Sequence, residues 1–144
     1  MEDQNYAKHR QFVPLYHFVL TLLVLLALGG SLYNVYRAWG RGSGRGEAVL
    51  IFVLVVIAFL EGFFLRVFAM KAQDRAIRAE ENLRHFALYG SLLEPKLDIR
   101  QVIGLRFAAD EEFGDLAKRA AEEGLSENAI KKAVKSWRGD YYRV

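Results

Sequence analysis

Residues 12–36 read FVPLYHFVLTLLVLLALGGSLYNVY and residues 48–60 read AVLIFVLVVIAFL, and neither stretch holds a charged side chain. These two stretches decide the fold. Residues 15–36 make a helix of roughly 33 Å, enough to cross a hydrocarbon core of about 30 Å. At that depth no water satisfies unpaired backbone groups, so an apolar run of this length resolves as a helix that bonds within itself. Pro14 stands where the first turn of a helix has no use for an N–H. Phe12 and Tyr16 at one end of the run, and Tyr33, Tyr36 and Trp39 at the other, suit the two bilayer interfaces.

The second span is expected over residues 48–70, passing through Glu61 and Arg66. The connection, residues 37–47, contains Gly40-Arg41-Gly42-Ser43-Gly44-Arg45-Gly46. Its alternating glycines do not make a phosphate loop, because no strand precedes them and no Lys-Ser/Thr follows. Ala27-Leu28-Gly29 has the small residues of a signal-peptide cleavage site. The apolar run continues beyond it, however, and Glu2 and Asp3 spoil the basic leader, so the first span is expected to stay uncleaved.

The mean hydropathy of +0.06 conceals this division. Apolar residues concentrate before Met70 and charged ones after it, where fourteen Lys and Arg face thirteen Asp and Glu. With the tail so nearly neutral, a pI of 9.2 does not indicate nucleic acid as a partner. The chain has no cysteine, which excludes disulfides, thiolate metal sites and cysteine nucleophiles.

Orientation follows from the Lys/Arg balance near the span ends. The connection carries Arg37, Arg41 and Arg45, whereas Lys8, Arg10, Lys71, Arg75, Arg78 and Arg84 flank the other side. The expected fold is therefore an all-α membrane protein: residues 1–13 a cytoplasmic segment, residues 14–70 a two-helix transmembrane hairpin, and residues 71–144 a small cytoplasmic helical domain. Both termini are expected in the cytoplasm.

Polar residues within the spans are the first candidates for function. His17, Thr21, Val24, Leu28, Ser31 and Val35 recur at helical spacing on one face of the first span, and such stripes usually meet another helix. Glu61 shares a face with Leu50, Leu54, Leu65 and Phe68, roughly 20 Å along the helix from Ala48. A charged carboxylate at that depth costs about 2.5–3.5 kcal/mol, so Glu61 is either protonated or partnered, with Thr21, His17 or another subunit as the candidates. Arg66 is placed to snorkel toward the nearer interface. His17 is also a candidate axial ligand for haem or chlorophyll, although no cofactor is required by the sequence.

Beyond Met70 the helical pattern continues with acid-first pairs such as Asp74/Arg78, Glu80/Arg84 and Glu81/His85, so the second span is expected to run on to about Tyr89, ended by Gly90 and Pro95. Three short helices follow: residues 99–107 capped by Asp98, residues 111–123 capped by Asp110, and residues 127–137 capped by Ser126. Lys131, Lys132, Lys135, Trp137, Arg138, Tyr141 and Tyr142 form a basic-aromatic end suited to docking on a protein partner or anionic lipid.

Two groups of residues carry a family resemblance: Gln4-Asn5-Tyr6-Ala7-Lys8-His9 with Phe12-Val13-Pro14 and His17-Phe18, and Leu105-Arg106-Phe107-Ala108 with Ile130-Lys131-Lys132-Ala133, Trp137-Arg138, Asp140-Tyr141 and Arg143-Val144. Together they resemble an uncharacterised family of small bacterial two-span membrane proteins with a helical tail. The resemblance implies a bacterial inner-membrane location and brings no activity with it.

Three functions fit these residues. The first is a non-catalytic accessory subunit of a larger membrane protein complex, with a respiratory or photosynthetic assembly as a natural host. The second is a haem- or chlorophyll-bearing subunit through His17. The third is a small proton-coupled channel or transporter using Glu61. An enzyme is not expected, since the Ser, His and acidic residues, with three His in all, are too scattered for a triad or metal site.

Overall fold

The computed structural model describes Asn5, Tyr6, Lys8 and residues 13–140. Every element among these residues is a helix. Helix α1 covers Leu15–Arg41. Its first turns, Leu15–Leu20, wind wide in the π pattern before the α-helix proper begins at Thr21. Gly42 ends it in the left-handed conformation, φ 76°, with its N–H donating to the Ala38 carbonyl at 3.1 Å. Helix α2 then runs as a single element over Arg45–Tyr89.

The connection expected over residues 37–47 thus contracts to Gly42, Ser43 and Gly44. Gly42 and Gly44 both have positive φ, a conformation that costs glycine little and other residues more. Both α1 and α2 are long and apolar enough to cross a membrane.

The chain gathers into two units, with the boundary between Ala69 and Met70. In the first, most apolar side chains are exposed, as on the lipid-facing surface of a membrane protein. The shielded positions of α1 are His17, Val24, Leu28, Ser31, Asn34, Val35 and Ala38, which is the stripe read from the sequence with Thr21 left out on the exposed side. Ser31 is buried with its Oγ donating to the Leu28 carbonyl at 3.0 Å, so its hydroxyl is satisfied within its own helix. Along residues 48–70 of α2 the shielded positions are Ala48, Phe52, Val55, Val56, Arg66 and Val67.

The second unit packs three short helices, α3 (Ile99–Leu105), α4 (Asp110–Glu123) and α5 (Glu127–Ala133), around Leu97, Val102, Leu105, Phe107, Phe113 and Ile130. Asp98 and Gln101 form a reciprocal cap on α3: Asp98 Oδ1 accepts from the Gln101 N–H at 2.7 Å and Gln101 Oε1 from the Asp98 N–H at 2.9 Å. The Gln101 amide also donates to the carbonyls of Ala120 and Leu125, both at 3.0 Å, tying α3 to the end of α4. At Gly104 a Cβ would stand 3.1 Å from the Glu127 carbonyl oxygen and from Ile130, so the missing side chain lets α3 lie close on α5.

Two boundaries differ from expectation for tertiary reasons. Helix α5 stops at Ala133 rather than near Trp137. Beyond it the Glu112 carboxylate accepts from the backbone N–H groups of Lys135 at 3.1 Å and Ser136 at 2.8 Å. The chain then lies antiparallel to residues 107–109, with Arg138 N–H donating to the Phe107 carbonyl at 2.8 Å and Ala109 N–H to that of Ser136 at 3.1 Å. Asp110 is not the cap of α4: that position falls to Ala109, without a side-chain bond, and Asp110 instead receives Arg84.

Candidate functional site

Glu61 occupies an exposed face of α2 and makes no hydrogen bond or ion pair among the described residues. Around it on the surface of the same helix lie the exposed apolar side chains of Ile57, Leu60, Phe64, Leu65 and Phe68. Phe52, nine residues earlier, lies about 180° away round the helix, so Glu61 is directed away from the shielded face of α2. This is the physical reason that neither Thr21 nor His17, the partners read from the sequence, reaches it. The face that carries Glu61 is longer than Leu50, Leu54, Leu65 and Phe68 alone suggest. Leu50, Leu54, Ile57, Glu61, Phe64 and Phe68 follow one another at alternating steps of four and three, and all six are exposed. That alternation was present in the sequence, and counting it was the way to find the whole face.

Arg66 is half-buried on the opposite side, its guanidinium carbon 5.5 Å from the centroid of the Tyr16 ring. This is a cation–π contact, in which the ring face meets the positive charge. His17 is half-buried, with Nδ1 3.0 Å from the Val13 carbonyl oxygen and the ring edge-on to Tyr16 at 5.2 Å. It is the sole imidazole in residues 13–69, so a two-histidine haem site there would need a second histidine from outside these residues.

The basic-aromatic set at the far end of the chain is divided by the fold. Lys131 is buried, with Nζ 2.6 Å from Glu127 Oε1 and 5.4 Å from the Phe107 ring centroid. Trp137 lies on Phe107 with ring centroids 4.9 Å apart. Arg138 extends toward Glu81, Nη1 to Oε1 3.8 Å, while Lys132 has its Nζ 5.5 Å from the Tyr6 ring. Lys135 is exposed. Tyr141 and Tyr142 lie outside the described residues. At this end Lys132, Lys135 and Arg138 are exposed, whereas Lys131 and Trp137 serve the interior of the domain.

Arg84 is the most heavily used cation of the tail. It donates to Asp110 Oδ1 through Nε at 2.8 Å, to the Ala108 carbonyl at 2.7 Å and to Glu81 Oε2 at 3.0 Å, while its guanidinium carbon lies 4.2 Å from the Phe113 ring centroid. Arg78 likewise donates to the Leu97 carbonyl at 2.8 Å. These arginines of α2, expected to pair with Asp74 and Glu80 along their own helix, hold the tail's loops, and Arg84 pairs along the helix with Glu81 rather than Glu80. Beside them a groove of about 850 Å³ opens between the end of α2, the loop after it and α4. Tyr89 anchors one wall, its hydroxyl donating to the Asp110 carbonyl and accepting from the Gly114 N–H, each at 3.1 Å. Among the described residues no group of three or more His, Cys, Asp or Glu is arranged to hold a metal ion.

These features define a class: an all-helical chain with two helices long and apolar enough to cross a membrane, and a packed helical tail. The chain belongs to the Family of unknown function (DUF6526), whose match covers residues 1–144. Comparison with curated proteins and with solved structures gives no match.

Proposed function

We propose that this chain is a non-catalytic accessory subunit of a larger membrane protein assembly in the bacterial cytoplasmic membrane, with α1 and α2 as an antiparallel transmembrane hairpin and both termini in the cytoplasm. A respiratory or photosynthetic complex is the natural host. The observation that carries the reading is Glu61, exposed in the middle of an otherwise apolar face of α2. An acidic group at that depth is costly against lipid and in membrane proteins marks contact with another polar group. Nothing on the described part of this chain meets it, so the group it meets belongs to a partner.

The hairpin arrangement is supported by the three-residue turn and by Ala38 and Ala48, each 1% exposed on either side of it. Residues so small and so well covered suit a close approach of two helices. The Arg66–Tyr16 contact lies at the other end of the same pair.

The test is mild solubilisation of native membranes, separation on a native gel, and mass spectrometry of what migrates with the chain. The reading predicts migration with other integral membrane proteins at several times 16.4 kDa. A band containing this chain alone, at its own mass or twice it, contradicts it. An absorption spectrum of the same preparation examines the His17 alternative, since a bound tetrapyrrole colours the band. Loss of proton flux in liposomes on replacing Glu61 by Gln would favour the channel or transporter alternative.

A further inference from the structure

We propose that the groove between the end of α2, residues 91–97 and α4 receives a Lys/Arg-rich cytoplasmic segment of a partner subunit, a step that rests on the accessory-subunit reading above. Helix α4 carries six acidic and two basic residues, and its acids sort by the side they occupy. Those off the groove are engaged. Asp110 takes Arg84, Glu112 takes the backbone N–H groups of Lys135 and Ser136, and Glu123 lies 3.4 Å from Arg119. Those that line the groove, Glu111, Asp115 and Glu122, are exposed and make no ion pair or side-chain hydrogen bond among the described residues. The same holds for Glu94, which lines the groove from residues 91–97.

Glu111, Asp115, Lys118 and Glu122 follow at steps of four, three and four, which sets them in one line about 16 Å long on α4. Carboxylates so spread do not converge on a single ion. They suit several cations in succession, as along three turns of a helix or about five residues of extended chain. The groove's own cations, Lys96 and Lys118, are two against four carboxylates. His85, on the same wall as Tyr89, has its Nδ1 2.6 Å from the Ser91 carbonyl oxygen. Exposed Tyr89 and Leu92 give the groove an apolar part beside the charged one.

An excess of carboxylate repels phosphate, which disfavours an anionic lipid surface and a nucleic acid at this place. A basic protein segment with apolar side chains among its cations matches both parts of the groove. Integral membrane proteins concentrate Lys and Arg in their short cytoplasmic loops, and the proposed orientation puts the tail on that side. The occupant is therefore such a loop or end of the integral membrane partner.

The test uses the full-length chain in native membranes. The photoreactive residue p-benzoylphenylalanine replaces Lys118, the membranes are illuminated, and the linked peptides are read by mass spectrometry. The expected product joins α4 to a segment of an integral membrane protein that holds more Lys and Arg than Asp and Glu. Glu111→Lys, Asp115→Lys and Glu122→Lys together lower the linked fraction several-fold, whereas Glu123→Lys, off the groove, leaves it unchanged. The neutral set Glu111→Gln, Asp115→Asn and Glu122→Gln lowers it less, and these exposed, unpaired positions leave thermal unfolding in detergent near that of the wild type.

No link, a link to lipid, a link to residues 132–144 of this chain or a second copy, or a linked fraction that neither set lowers overturns the proposal. The native gel separates the two levels. A chain that migrates alone contradicts the accessory-subunit reading itself. One that migrates with membrane proteins while its groove links elsewhere contradicts only the assignment of the groove.

Discussion

Arg84 shows how much of the tail depends on single side chains. It is 11% exposed and joins Glu81, itself 7% exposed, to Asp110 and the Ala108 carbonyl. Replacing it by Met keeps the aliphatic bulk but leaves the Glu81 carboxylate buried with only Arg138 at 3.8 Å. Removing one member of a buried pair costs about 3 kcal/mol. The expected result for Arg84→Met is a loss near that size, measured by thermal unfolding of the full chain in detergent, followed by Trp137 fluorescence in a Trp39→Phe background. Gly114 is a second sensitive position. A Cβ there would come 2.7 Å from Cζ of Tyr89, so Gly114→Ala displaces the ring and disturbs its two hydrogen bonds. The expected cost is about 1–2 kcal/mol by the same measurement. Glu61 was legible at this scale as an acidic residue inside an apolar run. That it meets neither Thr21 nor His17 was not legible, because the rotation of α2 about its own axis is set by which residues pack, not by which are polar.

Among the elements, α2 was read from its sequence almost to the residue. The apolar run, the continuing helical pattern beyond Met70 and Gly90 after its last turn are all local signals, and Gly90 has φ 73° in the structure. The cap of α3 was local too. Asp98→Ala is expected to cost about 1 kcal/mol, while Asp98→Asn, which still accepts from the Gln101 N–H, costs a fraction of that. Amide exchange of residues 99–105 reads the difference, and equal protection in both variants would contradict the capping role. What escaped the sequence depended on distant partners. Helix α5 ends early because Glu112, more than twenty residues away, takes the amides that would have continued it. Asp110 is drawn from capping to Arg84 in the same way. The wide opening turns of α1 and its extension to Arg41 had no signal in the pattern, because residues 37–41 suit a helix and a loop equally.

At the scale of the whole molecule, the two units carry two kinds of surface. Residues 13–69 expose large apolar side chains almost throughout, whereas residues 93–140 enclose theirs and expose charge, with Leu83, Phe86, Leu88, Tyr89 and Leu92 exposed between them. That contrast was visible in composition alone, since it needs only the count of charged residues on either side of Met70. The sequence does not carry the identity of the assembly, because docking surfaces on a helix or a tail are recognised by shape as much as by residue type. The account stands or falls on the two apolar helices crossing the bilayer with the turn on one side and the tail on the other. Single cysteines at Ser43 and Lys135, both exposed, test this in intact cells with a thiol reagent that does not permeate the membrane. The account predicts that Ser43→Cys labels at once and Lys135→Cys labels only after the membrane is opened. Labelling of both from the same side would contradict it.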